Sequence, residues 1–421
     1  MLSLDEALSR LAGAIRPLAE VERLATFDAL GRVLAEDLRS GVDVPPADNT
    51  SMDGYAMRCA DVVQAGVVLP VSQRIPAGVV GQALEPATVA RIFTGAQMPA
   101  GADAVVMQEQ CEAVLEGVRV NAVPHPGQWI RRRGEDVQAG HVVLSAGARL
   151  TPQALGLAAA TGAAMLSVAR RPRVALLSTG DELVMPGDVA PDHMPPGAIY
   201  NSNRYTLRAL IQAMGCECTD LGIVPDQLDA TRAALRDAAR GHDLIVTSGG
   251  VSVGEEDHLR PAVRAEGHIE LWQIAIKPGK PLAFGAVRRA ASVPGNGDAG
   301  AGTPRDDAGS AYIIGLPGNP VSSFLTFLLM VRPVLLRLQG ASSITPARTP
   351  MRADFDWPKP DRRREFLRVR RNERGGLDRF PNQSSGVLTS AVWADGVVDN
   401  PSNQAIRIGD TVDFLSFAEV M

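Results

Sequence analysis

The chain has 421 residues, of which 45% are hydrophobic and 21% charged, and a formal net charge of −5. One hydrophobic core does not organise that length, so roughly two to four domains are expected. The apolar fraction excludes wholesale disorder, and the acidic balance excludes a protein that coats nucleic acid, for which a basic face is expected.

Ser3-Leu4-Asp5-Glu6 is a capping box that opens an amphipathic helix. It has neither a basic n-region nor a long apolar run, so secretion is not expected and a cytoplasmic location is. Residues 1–44 read as helical, interrupted at Pro17. A segment rich in Val, Gly and Pro follows, over 45–139. Its short apolar runs at 67–72, 89–94, 104–108 and 118–123 are separated by turn residues, an all-β pattern. Within it, Asp48 to Tyr55 is polar and unlike a strand. Thr151-Pro152 opens another helix, with Thr as N-cap and Pro at the first helical position, closing at Gly162. That helix is expected to pack with the N-terminal ones. Residues 1–44 and 140–170 would then form a helical linker domain, carrying 45–139 as a β-rich inserted domain.

From Arg173 the rhythm changes to strands alternating with helices. Strands are expected at 174–178, 219–224, 244–248, 269–276, 282–287 and 312–315. Helices fall near 203–214, 229–240 (with Asp229 as N-cap) and 257–265, and a long one starts at Val321. This predicts a central doubly wound parallel α/β sheet domain over 171–338. Residues 290–310 interrupt it with Gly, Pro, Ala and Asp and no periodicity, the composition of a flexible insertion. The apolar run at 321–338 is broken by Thr326, Arg332 and Pro333. It reads as a buried core helix rather than a membrane span, which needs about 20 predominantly apolar residues. Residues 339–421 are strand-like again, a small C-terminal β domain. Its basic run through Arg362, Arg363, Arg364, Arg368, Arg370 and Arg371 reads as a solvated hairpin. The fold class is thus multi-domain, α/β plus β.

In open parallel sheets, ligands bind beyond the carboxyl ends of the strands. Five motifs fall there: Ser178-Thr179-Gly180-Asp181-Glu182, Pro225-Asp226, Ser248 to Asp257, Lys277-Pro278-Gly279-Lys280-Pro281, and Leu316-Pro317-Gly318-Asn319-Pro320. Gly249, Gly250 and Gly254 allow backbone N–H groups to converge on an anion, and Ser248 and Ser252 add hydroxyl donors. Lys277 and Lys280 supply positive charge. They are two of only three lysines among 42 basic residues, so the pair is not generic decoration. Asp181, Glu182, Asp226 and Asp257 would repel an anion unless a cation intervened, and Mg²⁺ bridging carboxylates and substrate phosphate resolves the conflict. The four cysteines, Cys59, Cys111, Cys216 and Cys218, show neither zinc spacing nor a disulfide framework. No G-x-x-x-x-G-K-[ST] loop supports a nucleotide kinase.

Taken together, N-T-S-M-D-G-Y-A, R-I-F-T-G-A, R-R-R-G-E-D, S-T-G-D-E-L, T-S-G-G-V-S-V-G-E, I-K-P-G-K-P and L-P-G-N-P-V-S resemble, in order, the MoeA-type molybdopterin molybdenumtransferase family, related to the E domain of gephyrin. The resemblance implies a four-domain homodimer. The implied reaction is Mg²⁺-dependent insertion of molybdate into adenylylated molybdopterin, with release of AMP. It implies Asp53, Thr94, Asp136, Glu182, Asp226 and Asp257 as catalytic residues, the last three as metal ligands. Lys277, Lys280, Pro281, Arg363 and Ser385 would face molybdate. Ser248, Gly249, Gly250, Ser252, Gly254, Pro317, Gly318, Asn319 and Pro320 would form the pterin and phosphate site. Implied partners are a molybdopterin adenylyltransferase and molybdoenzyme maturation proteins, with no nucleic acid and no membrane. An adenylyltransferase-like enzyme would need only the α/β part, and a gephyrin-like scaffold would not need the acids and lysines.

Overall fold

In the computed structural model, residues 1–251, 258–289 and 309–420 are described, without the side chain of Trp272. Ser252, Gly254, Asp257 and most of the 290–310 insertion lie outside the described residues.

The central sheet has six strands: Arg173–Thr179, Glu217–Val224, Leu244–Ser248, Gly267–Gln273, Pro281–Arg288 and Ser310–Leu316. In spatial order they run second, first, third, sixth, fifth, fourth. The first, second, third and sixth are parallel; the fifth is antiparallel to the sixth and to the fourth. The sheet is therefore mixed, which corrects the all-parallel expectation. The reason is local. The stretch expected as one strand over 269–276 stops at Gln273, and a short loop returns the chain as an edge hairpin. Because the fourth strand is antiparallel to an antiparallel strand, it points the same way as the parallel four. Its following loop, 274–280, still emerges at their carboxyl edge.

Both sheet faces are covered, as an apolar two-sided sheet requires. Helices Leu228–Gly241 and Leu259–Glu266 close one face through Leu235, Ala238, Val263 and neighbours. The first begins at Gln227, two residues before the expected cap, so Asp229 sits inside its first turn. The other face is covered by Ser202–Ala213 and by the apolar helix from Pro320 to Leu338. That helix is long and apolar enough to cross a bilayer, but 94% of its apolar window is buried in the protein. Its middle, Phe327–Val331, widens into a π-helical turn immediately before Arg332 and Pro333. Proline has no N–H to give the regular ladder, and the wider turn accommodates it.

The helical reading of residues 1–44 is corrected. Only Leu4–Ala14 is α-helical, with the expected capping box at Ser3 and Glu6. Its Leu4, Ala7 and Leu11 bury in the α/β core against the Arg332–Leu338 turn, not against helix Pro152–Ala160. Beyond Pro17 the chain forms strands Val21–Ala25, paired with Met165–Ala169, and Leu38–Arg39, paired with Val142–Leu144. Strands before and after the β-rich segment thus pair with each other, which brings its two ends together. Val21 to Ala25 alternates in exposure as a ribbon does, and this pairing overrides its helix-compatible composition.

The β-rich segment builds a four-stranded sheet (Val71–Ile75, Val89–Ile92, Gly54–Met57, Ala104–Met107) and a three-stranded one (Val67–Leu69, Gly117–Val120, Cys111–Val114). Asn49–Thr50 and Gly54–Met57 are strands within a stretch that reads as non-strand, because the polar turn Ser51–Asp53 between them masks the alternation. At the C-terminus, strands Arg364–Arg371, Gly376–Arg379, Thr349–Ala353, Thr411–Ser416 and Gly396–Asn400 close on themselves, since the first also pairs with the last. This is a small barrel, closed without a free edge. The basic run does lead into a hairpin, Arg364–Arg371 with Gly376–Arg379, and Arg362, Arg370 and Arg371 are exposed, but its middle is not solvated. Arg368 is 1% exposed, and Arg364 pairs with Asp399 and Asp5.

The residues flanking 290–308 meet, with Arg289 N–H donating to Gly309 O at 2.6 Å, at the tip of the Pro281–Arg288/Ser310–Leu316 hairpin. Loop-closure cost varies slowly with length. Replacing residues 291–308 by a short Gly-Ser turn is therefore expected to leave the melting temperature within about 2 °C of the parent. Differential scanning calorimetry reads this directly, and a larger fall would mean that the segment packs on the sheet.

Candidate active site

The carboxyl edge of the central sheet opens into a cavity of about 450 Å³. Glu182 and Asp226 stand on its rim, and Thr179, Ser248, Gly249 and Gly250 form its floor. Pro317, Gly318, Asn319 and Pro320 wall one side and Pro281 another. Thr179 apart, these are ten of the residues given a catalytic or binding role from sequence, gathered in one place.

Local chemistry explains the shape. Gly249 lies at φ +90°, and a Cβ there would sit 2.4 Å from Thr179 O, so only glycine lets the third strand end so close to the first. Its N–H donates to Leu316 O at 3.1 Å. That amide is spent on the sheet and does not converge on an anion, which corrects part of the sequence reading. Asp181 Oδ1 accepts from the N–H of Asp226 at 3.1 Å and so pins the second edge loop to the first. Leu183–Val184 pairs with Ile199–Tyr200, and this small ribbon carries the Glu182 side of the rim.

Two residues that sequence reasoning missed are central. Asn203 is buried, and its Nδ2 donates to Ser248 Oγ at 2.9 Å and to Gly318 O at 2.6 Å, tying two edge loops to one helix. Asn201 caps that helix by accepting from Arg204 N–H at 3.1 Å, and its Nδ2 has no hydrogen-bond partner among the described residues. Both line the cavity. The signal was available in Asn201-Ser202-Asn203 at a helix start beside the edge, but capping accounts for it equally well. Ser178 Oγ, Thr179 Oγ1 and Thr247 Oγ1 are likewise buried without partners among the described residues, at the ends of the first and third strands. Buried polar groups are rarely left so unless something else uses them.

The lysine loop lies between two cavities. Pro281 borders the first. Lys280 borders a second, of about 660 Å³, together with Asp361, Arg362 and Arg363 of the barrel. Lys277 leaves the sheet in a short strand, Ile276–Lys277, that pairs with Arg364–Glu365. Its Nζ lies 3.1 Å from Glu365 Oε1 and 3.3 Å from Asp361 Oδ2. Arg363 makes a two-pronged contact with Asp361, Nε to Oδ1 at 3.0 Å and Nη2 to Oδ2 at 2.9 Å. That fork holds the Asp361 carboxyl well below the usual carboxylate range, despite partial burial. Ser385 reaches neither cavity. Its carbonyl accepts from Val321 N–H at 3.0 Å, so it docks the barrel onto the start of the apolar helix.

The β-rich segment holds its motifs together but away from this edge. Asp53 Oδ1 accepts from both the N–H and the hydroxyl of Thr94, each at 2.7 Å. Those bonds, led by the backbone one, hold its carboxyl below the ordinary value. Arg91 Nη1 donates to Gly54 O at 2.8 Å and locks the adjoining strand. Asp48 accepts from Arg132 Nη1 and Arg133 N–H, and Asp43 accepts from Arg133 Nε, fastening the arginine loop to the Asp43–Asp48 stretch. Asp136 has no hydrogen bond to Asp53 or Thr94 among the described residues. Its N–H bonds Val44 O, and it borders a separate hollow with Gly134 and His141. None of Asp53, Thr94 and Asp136 lines the edge cavity.

Comparisons with known proteins cover nearly the whole chain. Residues 2–162 match the MoeA N-terminal region (domain I and II), 175–337 a probable molybdopterin binding domain, and 350–417 the MoeA C-terminal region (domain IV). A molybdopterin molybdenumtransferase of Haemophilus influenzae is 41% identical over 342 residues, 81% of this chain and 78% of its own. Molybdopterin molybdenumtransferase 2 of Mycobacterium tuberculosis is 35% identical over 412 residues, 95% of this chain and 94% of its own. A crystal structure of the molybdopterin biosynthesis MoeA protein of Pyrococcus horikoshii superposes with a TM-score of 0.82 at 27% identity, covering 99% of this chain and 100% of that one. With its edge cavity, lysine loop and barrel all falling inside matched regions, the chain belongs to the MoeA family of molybdopterin molybdenumtransferases.

Proposed function

We infer that the protein inserts molybdate into adenylylated molybdopterin, releasing AMP and forming molybdenum cofactor in the cytoplasm. The observation that carries this reading is the 277–281 loop, which borders the edge cavity through Pro281 and the cationic cavity through Lys280. A pterin with its pyrophosphate, held at the Ser248–Gly250 floor and the 317–320 wall, would meet a dianion held by Lys277, Lys280 and Arg363, with Ser385 fixing the barrel beside them. Lysine and arginine suit the two sides of that dianion: a compact charge and a planar fork. No protein nucleophile is required, because the dithiolene sulfurs of the pterin themselves bind molybdenum.

Mg²⁺ fits the donor set. Glu182 and Asp226 offer the one or two carboxylates with which Mg²⁺ is ordinarily held beside substrate phosphates, and Asp257 is the third expected from sequence. No group of three or more ligand-type side chains is assembled among the described residues. When bound, Mg²⁺ supplies charge neutralisation at the pyrophosphate as AMP leaves. The protein's own part is to hold pterin and oxyanion on the two sides of one loop.

The distance of Asp53 and Thr94 from the edge cavity is met if the protein is a homodimer whose β-rich segment covers the partner's α/β edge. A molybdopterin adenylyltransferase would supply the substrate, and molybdoenzyme maturation proteins would receive the product.

The direct test incubates the purified protein with adenylylated molybdopterin, molybdate and Mg²⁺ and follows AMP; no molybdate-dependent release would end the reading. Lys277→Ala and Lys280→Ala are expected to raise the molybdate concentration for half-maximal rate about tenfold or more, with the fold intact, and arginine at either position to restore it only in part. Full activity of the double variant at limiting molybdate would rule these lysines out. Co-expression of Asp53→Ala with Glu182→Ala tests the dimer. Random mixing leaves roughly one quarter of sites intact if sites are shared between subunits, and none if each site lies within one chain.

A further inference from the structure

We propose that Asp361 is a resident counter-anion of the oxyanion site, competing with the incoming oxyanion for Arg363 and Lys277 and so setting the affinity at which the site fills. The proposal rests on the reading of Lys277, Lys280 and Arg363 as oxyanion ligands.

One carboxylate oxygen carries the argument. Asp361 Oδ2 lies 2.9 Å from Arg363 Nη2 and 3.3 Å from Lys277 Nζ, between the two cations. Its partner Oδ1 takes Arg363 Nε at 3.0 Å. This is the fork geometry that a guanidinium offers a tetrahedral oxyanion as well. Substrate and Asp361 therefore ask for the same donors.

The neighbouring acid behaves differently. Glu365 is 1% exposed, and its Oε2 is occupied by Trp357 Nε1 at 2.7 Å and Asp361 N–H at 3.0 Å. Its Oε1 faces Lys277 Nζ at 3.1 Å. Glu365 is fixed and keeps the Lys277 head near the barrel. The Asp361 carboxylate, by contrast, borders the open cavity with Lys280 and Arg362. A four-oxygen dianion can reach those two cations as well as Arg363, which the short Asp361 side chain does not, so exchange favours the dianion. A ligand with fewer or weaker contacts leaves Asp361 in place. The Asp361 carboxyl is held well below the usual range, so the counter-anion is present throughout the neutral pH range.

The substitution that isolates this role is Asp361→Asn. Arg363 N–H donates to Asp361 Oδ1 at 3.0 Å. An amide oxygen keeps that turn while the charge and half of the fork are lost. Equilibrium dialysis of the full-length protein against molybdate, with molybdenum quantified by mass spectrometry, reads the affinity. Asp361→Asn is expected to lower Kd about tenfold, or about 1.4 kcal/mol. Asp361→Glu, which keeps the charge, is expected not to tighten binding. Misfolding does not produce a gain, so a tighter Kd cannot come from damage. If Asp361→Asn melts early, Asp361→Ser carries the same expectation. An unchanged or weaker Kd in a variant that melts like the parent overturns the proposal. Lys277→Ala separates the two levels. If it leaves Kd unchanged, or if the parent binds no molybdate, the oxyanion site itself has been misplaced. If it weakens binding while removal of the Asp361 charge brings no gain, only the counter-anion role fails.

Discussion

The direction of the strands in the central sheet governs the rest of the molecule. Parallel strands covered on both faces cannot carry polar side chains along their length, so polarity is pushed to their ends. Here the interior runs, such as Val174 to Leu177 and Leu244 to Val246, are fully buried and apolar. Hydroxyls begin abruptly at Ser178, Thr179, Thr247 and Ser248. The antiparallel hairpin could have broken this pattern. It does not, because its first strand, Gly267–Gln273, runs in the same direction as the parallel four. Its loop therefore delivers Lys277 and Lys280 to the same edge as Glu182, Asp226 and the 317–320 turn. One rule of strand direction thus brings acids, hydroxyls and cations together from five separate stretches of chain.

That edge would be electrostatically unbalanced without the barrel. Strand Ile276–Lys277 leaves the sheet to pair with Arg364–Glu365, so the position of Lys277 is set by both bodies. The barrel brings many arginines, and most are already answered. Arg364 and Arg348 meet the buried Asp399, Arg352 and Arg374 meet Asp354, and Arg370 and Arg371 lie over the Trp393 and Phe414 rings. Arg368 is buried without an acidic partner among the described residues and uses its donors on Ser390 Oγ and the Phe366 and Ser384 carbonyls. Burial pushes its guanidinium down to about 10. The Ser384 contact sits one residue from the Ser385 carbonyl that receives Val321 N–H. The barrel is held to the apolar helix from Pro320 through the same loop that Arg368 supports. Orientation of the barrel and placement of the cations are one problem, solved by shared contacts.

What could be read from the sequence divides along a physical line. Features set by local chemistry were legible: the Ser3/Glu6 capping box, the Thr151-Pro152 helix start, the strand–helix alternation after Arg173, and the edge loops ending in Gly, Pro, Asp and Lys. Features set by distant partners were not. Residues 21–25 are a strand because Met165–Ala169 lies beside them, and nothing within the pentapeptide says so. The edge hairpin is antiparallel because of a break after Gln273 that an apolar run through Ile276 conceals. The basic run reads as solvated because the acids that answer Arg364, Asp399 and Asp5, lie 35 and 359 residues away in the chain. Asn203 was missed for a similar reason: its two acceptors, Ser248 Oγ and Gly318 O, come from different loops.

The hydrogen bonds of Asp53 bear on how the parts of the molecule work together. Thr94 occupies Oδ1 twice, and Asp53 is half-buried. A carboxylate fixed by two short bonds gives up conformational freedom. The β-rich segment is already held by the Gly54–Met57 strand, which has partners on both sides, and by the Arg91 bond to Gly54 O. An immobilised carboxylate is the form required of a group that must meet something beyond its own chain. The edge cavity, for its part, has Glu182 and Asp226 on one rim and no contribution from the β-rich segment. In the proposed dimer these two incomplete arrangements answer each other: the preset acid of one subunit would approach the open rim of the other, and neither chain would have to rearrange to form the site.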